Sequence, residues 1–205
     1  MNTADRWNHN IHYHPILLAA VRPGGHVLDV GCGEGMLTRA LAGTAASVIG
    51  IDMHAPSIEL ARTTIANRNS NVEYICADVL QHRFDPATFD AVVSVATLHH
   101  LGTEAGLLRL REWVRPGGTL GIVGLAAGDY PRDLLWDIAG AIGTRVHKLN
   151  KRYWEHAAPV LWPPPETYSH VRRIAQRLLP GAQFRRHLLW RYSLVWRKPE
   201  AHQQT

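Results

Sequence analysis

The chain has little cysteine, no long apolar run, no leader pattern and no dense block of one charge. Each shortage excludes a class. Two cysteines, Cys32 and Cys76, sit in unrelated segments without metal-ligand spacing. That excludes a disulfide scaffold and points to a reducing, cytoplasmic interior. No stretch approaches the ~20 uncharged apolar residues of a membrane span. The opening MNTADRWNHNIHYHP lacks a basic-then-apolar order, so no secretory signal is expected. Internal repeats and low-complexity tracts are missing too, and a chain of 205 residues with 46% apolar residues can bury a proper core. One domain is expected over 1–205.

Positive charge is the one imbalance, at +5. The excess is scattered as arginines over the last third, among them Arg172, Arg173, Arg177, Arg185, Arg186, Arg191 and Arg197. No lysine run, zinc-finger or RNP-type motif accompanies them, which argues against a nucleic-acid partner.

What is present is a strand–helix rhythm. HVLDVG, ASVIGID, VEYICAD, FDAVVSVAT and TLGIVGL are short apolar runs that read as strands. MLTRALAG, SIELARTTIANR and EAGLLRLREWVRPGG between them carry apolar residues at helical spacing, the last closed by Pro116-Gly117-Gly118. This predicts an α/β fold with a parallel sheet covered on both faces. The pattern changes after Leu125. A helical stretch carries the apolar stripe Leu134, Leu135, Ile138, Ile142 and Val146, a proline-rich segment follows, and then a helix. AQFRRHLL and RYSLVWRK, joined around Trp190, read as a closing hairpin. The division expected is a lid and helix over 1–23, a ligand-binding core over 24–125, a helical insertion over 126–180 and a hairpin over 181–198.

VLDVGCGEG raises the functional question. A strand runs directly into Gly31, Cys32, Gly33 and Gly35, with glycine at alternate positions. Such a turn lies where an open parallel sheet receives its ligand, and glycine lets the backbone press against it. The spacing G-x-G-x-G departs from the G-x-G-x-x-G of dinucleotide sites. Asp29, two residues ahead of the first glycine, disfavours a pyrophosphate and suits an ammonium group. Asp52 ends the second strand, nineteen residues after Gly33, a position suited to a ribose diol. Asp78 ends the third strand, where it can accept from an adenine amine while the Val79 amide meets a ring nitrogen. Each aspartate alone also reads as a helix N-cap.

VLDVGCGEG, GIDM, CADVL, FDAVVSVATLHHL and RPGGTLGIVG, in this order and spacing, resemble the class I S-adenosylmethionine-dependent methyltransferases. The resemblance covers about residues 24 to 125, and the terminal hairpin agrees with it. It implies a Rossmann-like fold with a seven-stranded, mostly parallel sheet in the order 3-2-1-4-5-7-6, strand 7 antiparallel. It implies S-adenosyl-L-methionine as cofactor, with Asp29 and the glycine turn at its amino-acid end, Asp52 on the ribose, Met53 against the adenine, Asp78 and Val79 on the adenine edge, and Ser94 and Val95 beneath the sulfonium.

The acceptor is decided elsewhere. VATLHHL stands where base amine methylases carry N/D-P-P-Y/F, which disfavours that class. His99 and His100 there can take a proton from a hydroxyl, amine or ring nitrogen, or one can be a buried strut. Ala96 and His99 stand where some quinone-type O-methyltransferases place acidic metal ligands, and His9, His12 and His14 make no zinc pattern, so no metal is expected. The segment WNHNIHYHP reads as a lid bringing Tyr13 and a histidine such as His12 to the methyl group, or as a solvated arm. His14, Tyr130, Trp136 and Trp154 are candidate acceptor contacts, and aromatic walls favour a planar, phenol- or indole-like acceptor. The expected protein is a small-molecule methyltransferase, monomer or homodimer. An RNA or protein methylase and a non-catalytic cofactor-binding protein are the alternatives.

Overall fold

Short apolar runs, buried on both faces, build the sheet. In the computed structural model, which describes residues 6–65, 71–131, 133, 136, 140, 145, 152–153 and 161–200, the first long strand is β2, His26–Val30. It follows a two-residue strand β1, Arg6–Trp7, a 3-10 turn at Ile11–Tyr13 and helix α1, His14–Ala20. Helix α2 is Met36–Ala42, β3 Ser47–Asp52, α3 Ala55–Ile65, β4 Val72–Cys76 and β5 Phe89–Val95. Then come α4, Leu98–Leu101, α5, Thr103–Trp113, and β6, Val114–Leu125. The two-residue β7, Arg152–Tyr153, pairs in parallel with β1. Helix α6, Tyr168–Leu178, and the antiparallel strands β8, Gln183–His187, and β9, Arg191–Arg197, complete the chain.

The seven long strands lie in the order β4-β3-β2-β5-β6-β9-β8. Pairings from β4 to β6 are parallel and β9 runs antiparallel to both neighbours. Numbered without the β1/β7 pair, this is the expected 3-2-1-4-5-7-6. Side chains alternate between the faces, with period two. Val27, Ala91 and Val93 pack with Leu17 of α1 and Leu37 and Leu41 of α2. Leu28, Val30 and Val92 pack with Leu107, Leu110 and Trp113 of α5 and Val171 and Ile174 of α6. Among the described residues no helix is long and apolar enough to cross a membrane.

Two boundaries differ from the sequence reading. Helix α5 stops at Trp113, ahead of Pro116-Gly117-Gly118, because Val114 is already extended (φ −71°, ψ 129°) and paired with Phe89. The register shift between Phe89 and Ala91 is bridged by an Arg115–Asp90 ion pair, and Lys198 Nζ donates to the carbonyls of Arg111 and Val114. A tertiary pairing ends the helix before its breaker residues do. Helix α3 begins at Ala55, two residues earlier than its apolar spacing suggests, with Pro56 in the first turn where no N–H is needed. The stripe Leu134, Leu135, Ile138, Ile142 and Val146 lies outside the described residues.

Candidate functional site

A cavity of about 400 Å³ opens at the carboxyl ends of the parallel strands, where an open α/β sheet takes its ligand. The strand order reverses between β2 and β5, and both supply wall residues.

Each glycine of the turn has its own reason. Gly31, Gly33 and Gly35 have φ of +72°, +52° and +73°, which L side chains adopt reluctantly. A Cβ at Gly31 would overlap the Thr97 side chain, and one at Gly35 would overlap the Tyr74 hydroxyl. A Cβ at Gly33 would meet nothing within 4 Å. The protein itself therefore excludes side chains at two positions, and Gly33 alone leaves room beside the cavity. Cys32 lines the cavity with a buried thiol, which burial pushes well above its ordinary value, so it stays protonated.

The three acids differ. Asp29 is 1% exposed and accepts a hydrogen bond from Thr38 Oγ1 at 2.6 Å. Burial pushes its carboxyl up to about 7, the Thr38 hydrogen bond opposes this, and the charge of Asp52 adds to it. Asp52 stitches the glycine turn to the end of β3. Its Oδ2 accepts the Gly33 N–H at 2.9 Å and its Oδ1 the His54 N–H at 2.8 Å. Asp78 accepts from the Leu80 N–H and from Gln81 Nε2, both at 2.9 Å. All three line the cavity. Asp52 and Asp78 thus each hold a local turn while lining the cavity, and neither is the residue directly before a helix. Met53 sits at the wall 73% exposed, and Val79 is a buried wall residue.

The other end of the cavity is formed after β5. Ala96 takes φ +53°, its N–H bonds the Val123 carbonyl at 2.8 Å, and the chain turns into α4. Val95, Ala96, Thr97, His100 and Leu101 line the cavity. Ser94 does not line it. Its hydroxyl is fully buried and donates to the Val30 carbonyl at 2.9 Å, tying β5 to β2. The rings of His99 and His100 are in contact, with centroids 4.1 Å apart and planes tilted by 38°. His100 is exposed, whereas His99 Nδ1 is buried without a hydrogen-bond partner among the described residues. Burial lowers the His99 imidazole to about 4, helped by His100 and Arg191.

The segment ahead of α1 closes one side. Asn8, Asn10, Ile11 and His14 line the cavity. Burial lowers His14 to about 4, so a neutral imidazole faces the ligand space. Tyr13 and His12 are not among the lining residues. The Tyr13 hydroxyl donates to the Leu188 carbonyl at 2.8 Å, and His12 Nδ1 accepts from Trp7 Nε1 at 3.4 Å. Tyr13→Phe is expected to lower stability by about 1 kcal/mol, the worth of one largely buried hydrogen bond, read as a shift of the urea midpoint. Asn8 carries a role that composition gave no sign of. Its Oδ1 accepts the N–H groups of Asn10 and Ile11, both at 2.9 Å, which folds the segment into a tight turn.

Tyr130 is 67% exposed and Trp136 lies under the Arg186 guanidinium at 5.0 Å; neither lines the cavity. Trp154 lies outside the described residues. Among the described residues, no group of three or more His, Cys, Asp or Glu is placed to hold a metal ion.

The donor set suits S-adenosylmethionine. An acid row meets a cation and a diol, apolar Met53, Ala77 and Val79 can flank a base, and Gly33 leaves room for close approach. A family model described as a methyltransferase domain matches residues 27–118. An uncharacterized methyltransferase of Mycobacterium tuberculosis is 41% identical over 195 residues, covering 94% of this chain and 98% of that protein. A ubiquinone biosynthesis O-methyltransferase of Coxiella burnetii is 35% identical over 98 residues, 47% of this chain and 42% of that protein. Among solved structures, a phosphoethanolamine N-methyltransferase of Haemonchus contortus holding S-adenosylhomocysteine superposes with a TM-score of 0.66 at 16% identity, over 95% of this chain and 53% of that one. The strand order, the acid row and these likenesses agree, and the chain belongs to the class I S-adenosylmethionine-dependent methyltransferases.

Proposed function

We propose that this methyltransferase moves the methyl group to O, N or aromatic C of a small, phenol- or indole-like acceptor, with His100 taking the acceptor's proton. The observation that carries this reading is His100 on the cavity wall, in ring contact with a His99 that burial keeps neutral. A neutral neighbour leaves a proton-accepting imidazole free of a second positive charge. Bound S-adenosylmethionine supplies an activated methyl on a sulfonium. The chain's own part is to bind, align and exclude water. In this reading Asp29 pairs with the ammonium group, Asp52 holds the ribose, and Asp78 with Val79 meets the adenine edge beside Met53. Gly31, Cys32 and Gly33 carry the amino-acid end, with Gly35 shaping the turn from behind the wall, and Val95 lies beneath the sulfur, backed by Ser94. His14 faces the acceptor from α1. Tyr130, Trp136 and Trp162 lie outside the cavity wall, and the flat imidazoles of His14 and His100 with apolar Ile11 and Leu101 are the wall surface suited to a ring.

The test is turnover of a panel of phenols, indoles and amines, read as formation of S-adenosylhomocysteine. His100→Ala is expected to lower turnover about a hundredfold, the ordinary worth of a positioned base, with cofactor affinity held within about threefold. Unchanged turnover in His100→Ala would remove it from the reaction.

A further inference from the structure

The segment Asn8–His14 forms one wall of the cavity, yet it contains only a single 3-10 turn and the start of α1. Its anchors lie at the other end of the sequence. Arg191, the first residue of β9, is 7% exposed. Its Nε and Nη2 both donate to Asn10 Oδ1, at 3.0 and 2.7 Å. Its Nη1 donates to the Leu189 carbonyl at 3.1 Å and the Trp190 carbonyl at 3.4 Å. The Leu188 carbonyl accepts from Tyr13. Every carbonyl of the link between β8 and β9 therefore holds either Arg191 or the segment itself. Leu189 and Trp190 adopt φ of +59° and +55°, a conformation that such residues keep only when their surroundings over-determine it.

We propose that Arg191 is a positioning residue for cofactor binding. By clasping Asn10 to the β8–β9 link, it holds Asn8–His14 across the cavity and sets how long the cofactor stays bound. This rests on reading that cavity as the cofactor site. The segment is suited to being held at Asn10 because the Asn8 side chain already shapes it into a compact turn. The clasp at Asn10 and the Tyr13 hydroxyl on the Leu188 carbonyl then orient the whole unit. A planar guanidinium is the right anchor, since two of its N–H groups converge on one amide oxygen while a third reaches back to the link. An ammonium group cannot reproduce that fork. Arg191 is not a lining residue of the cavity, and its hold on the cavity wall runs through Asn10.

The test measures release of S-adenosylhomocysteine by stopped flow in the full chain, with urea unfolding alongside. Asn10→Ala and Arg191→Met are each expected to speed release about tenfold and to change association less than about threefold, the usual division for a lost hold. The double variant is expected to be no faster than the faster single one, since the two residues act as one unit. Arg191→Lys should fall between wild type and Arg191→Met, and with Asn10→Ala it carries the same comparison if Arg191→Met does not fold. The proposal is overturned if a folded Arg191 variant releases at the wild-type rate, because Asn10 then acts on the cofactor directly or not at all. Multiplying effects in the double variant overturn it as well. Failure of the wild-type protein to bind S-adenosylhomocysteine is a separate result and removes the cofactor reading itself.

Discussion

Gly31→Ala is expected to cost the fold about 3 kcal/mol, whereas Gly33→Ala is expected to leave it folded and weaken cofactor binding ten- to a hundredfold. Both residues sit at positive φ, which costs an L residue roughly 1–2 kcal/mol. There the similarity ends. A methyl at Gly31 lands on the Cβ, Cγ2 and Oγ1 of Thr97, a residue held by its own hydrogen bond to the Val95 carbonyl. Overpacking a fixed neighbour adds about 1–3 kcal/mol, and the sum is a large share of the ~5–15 kcal/mol that holds a domain together. A methyl at Gly33 meets no protein atom within 4 Å. Its cost to the free protein is the backbone's alone, and its main effect falls on whatever approaches the turn. Urea unfolding and calorimetric titration with S-adenosylhomocysteine separate the two. The reverse order, with Gly33→Ala unstable and Gly31→Ala harmless, would show that the turn is not built around Thr97.

The same contrast marks how far the sequence alone can be read. That a turn of glycines follows β2, and that acids end the next strands, is local chemistry and stands in the string of letters. Why Gly31 and Gly35 are glycines is not, because the obstructing Thr97 follows β5 and the obstructing Tyr74 sits in the middle of β4. The short apolar run around Val27, Leu28 and Val30 displays the strand directly, while the strand order is what the resemblance implies. The end of α5 was misplaced because its Pro-Gly-Gly is a strong local breaker, yet the pairing of Val114 with Phe89 acts first. Tyr13 reads as a polar group in a short polar segment, and nothing nearby shows that its partner is a carbonyl 175 positions on. Arg191 is silent for the same reason, since its partner Asn10 lies 181 positions away. Asn8 is local, accepting the N–H groups two and three residues on, but asparagine in a short polar segment does not by itself mark which turn it closes.

Asp29→Asn is expected to stabilise the cofactor-free protein at high pH and to abolish most of its affinity for the cofactor. The sign follows from proton counts. Below pH 3.8 the Asp29 carboxyl is protonated in folded and unfolded chains alike, and it favours neither. As pH rises, the unfolded chain ionises this group first, while the buried group keeps its proton up to about 7. Over that window the folded protein binds more protons, so stability falls with rising pH. The accumulated loss is on the order of 4 kcal/mol once pH exceeds about 7. An amide does not titrate, and its oxygen can still accept from Thr38. The stability difference between wild type and Asp29→Asn should therefore be small near pH 4.5 and grow through pH 8 in favour of the variant. S-adenosylmethionine should reverse the order, because its ammonium group gives the ionised carboxylate a partner in the wild type only. Loss of that buried pair is expected to weaken binding about a hundredfold. Unfolding at pH 4.5, 6 and 7.5, with and without cofactor, reads both effects. A wild-type stability that rises across this window relative to the variant would mean that Asp29 is ionised in the free protein, already matched to a charge inside the fold.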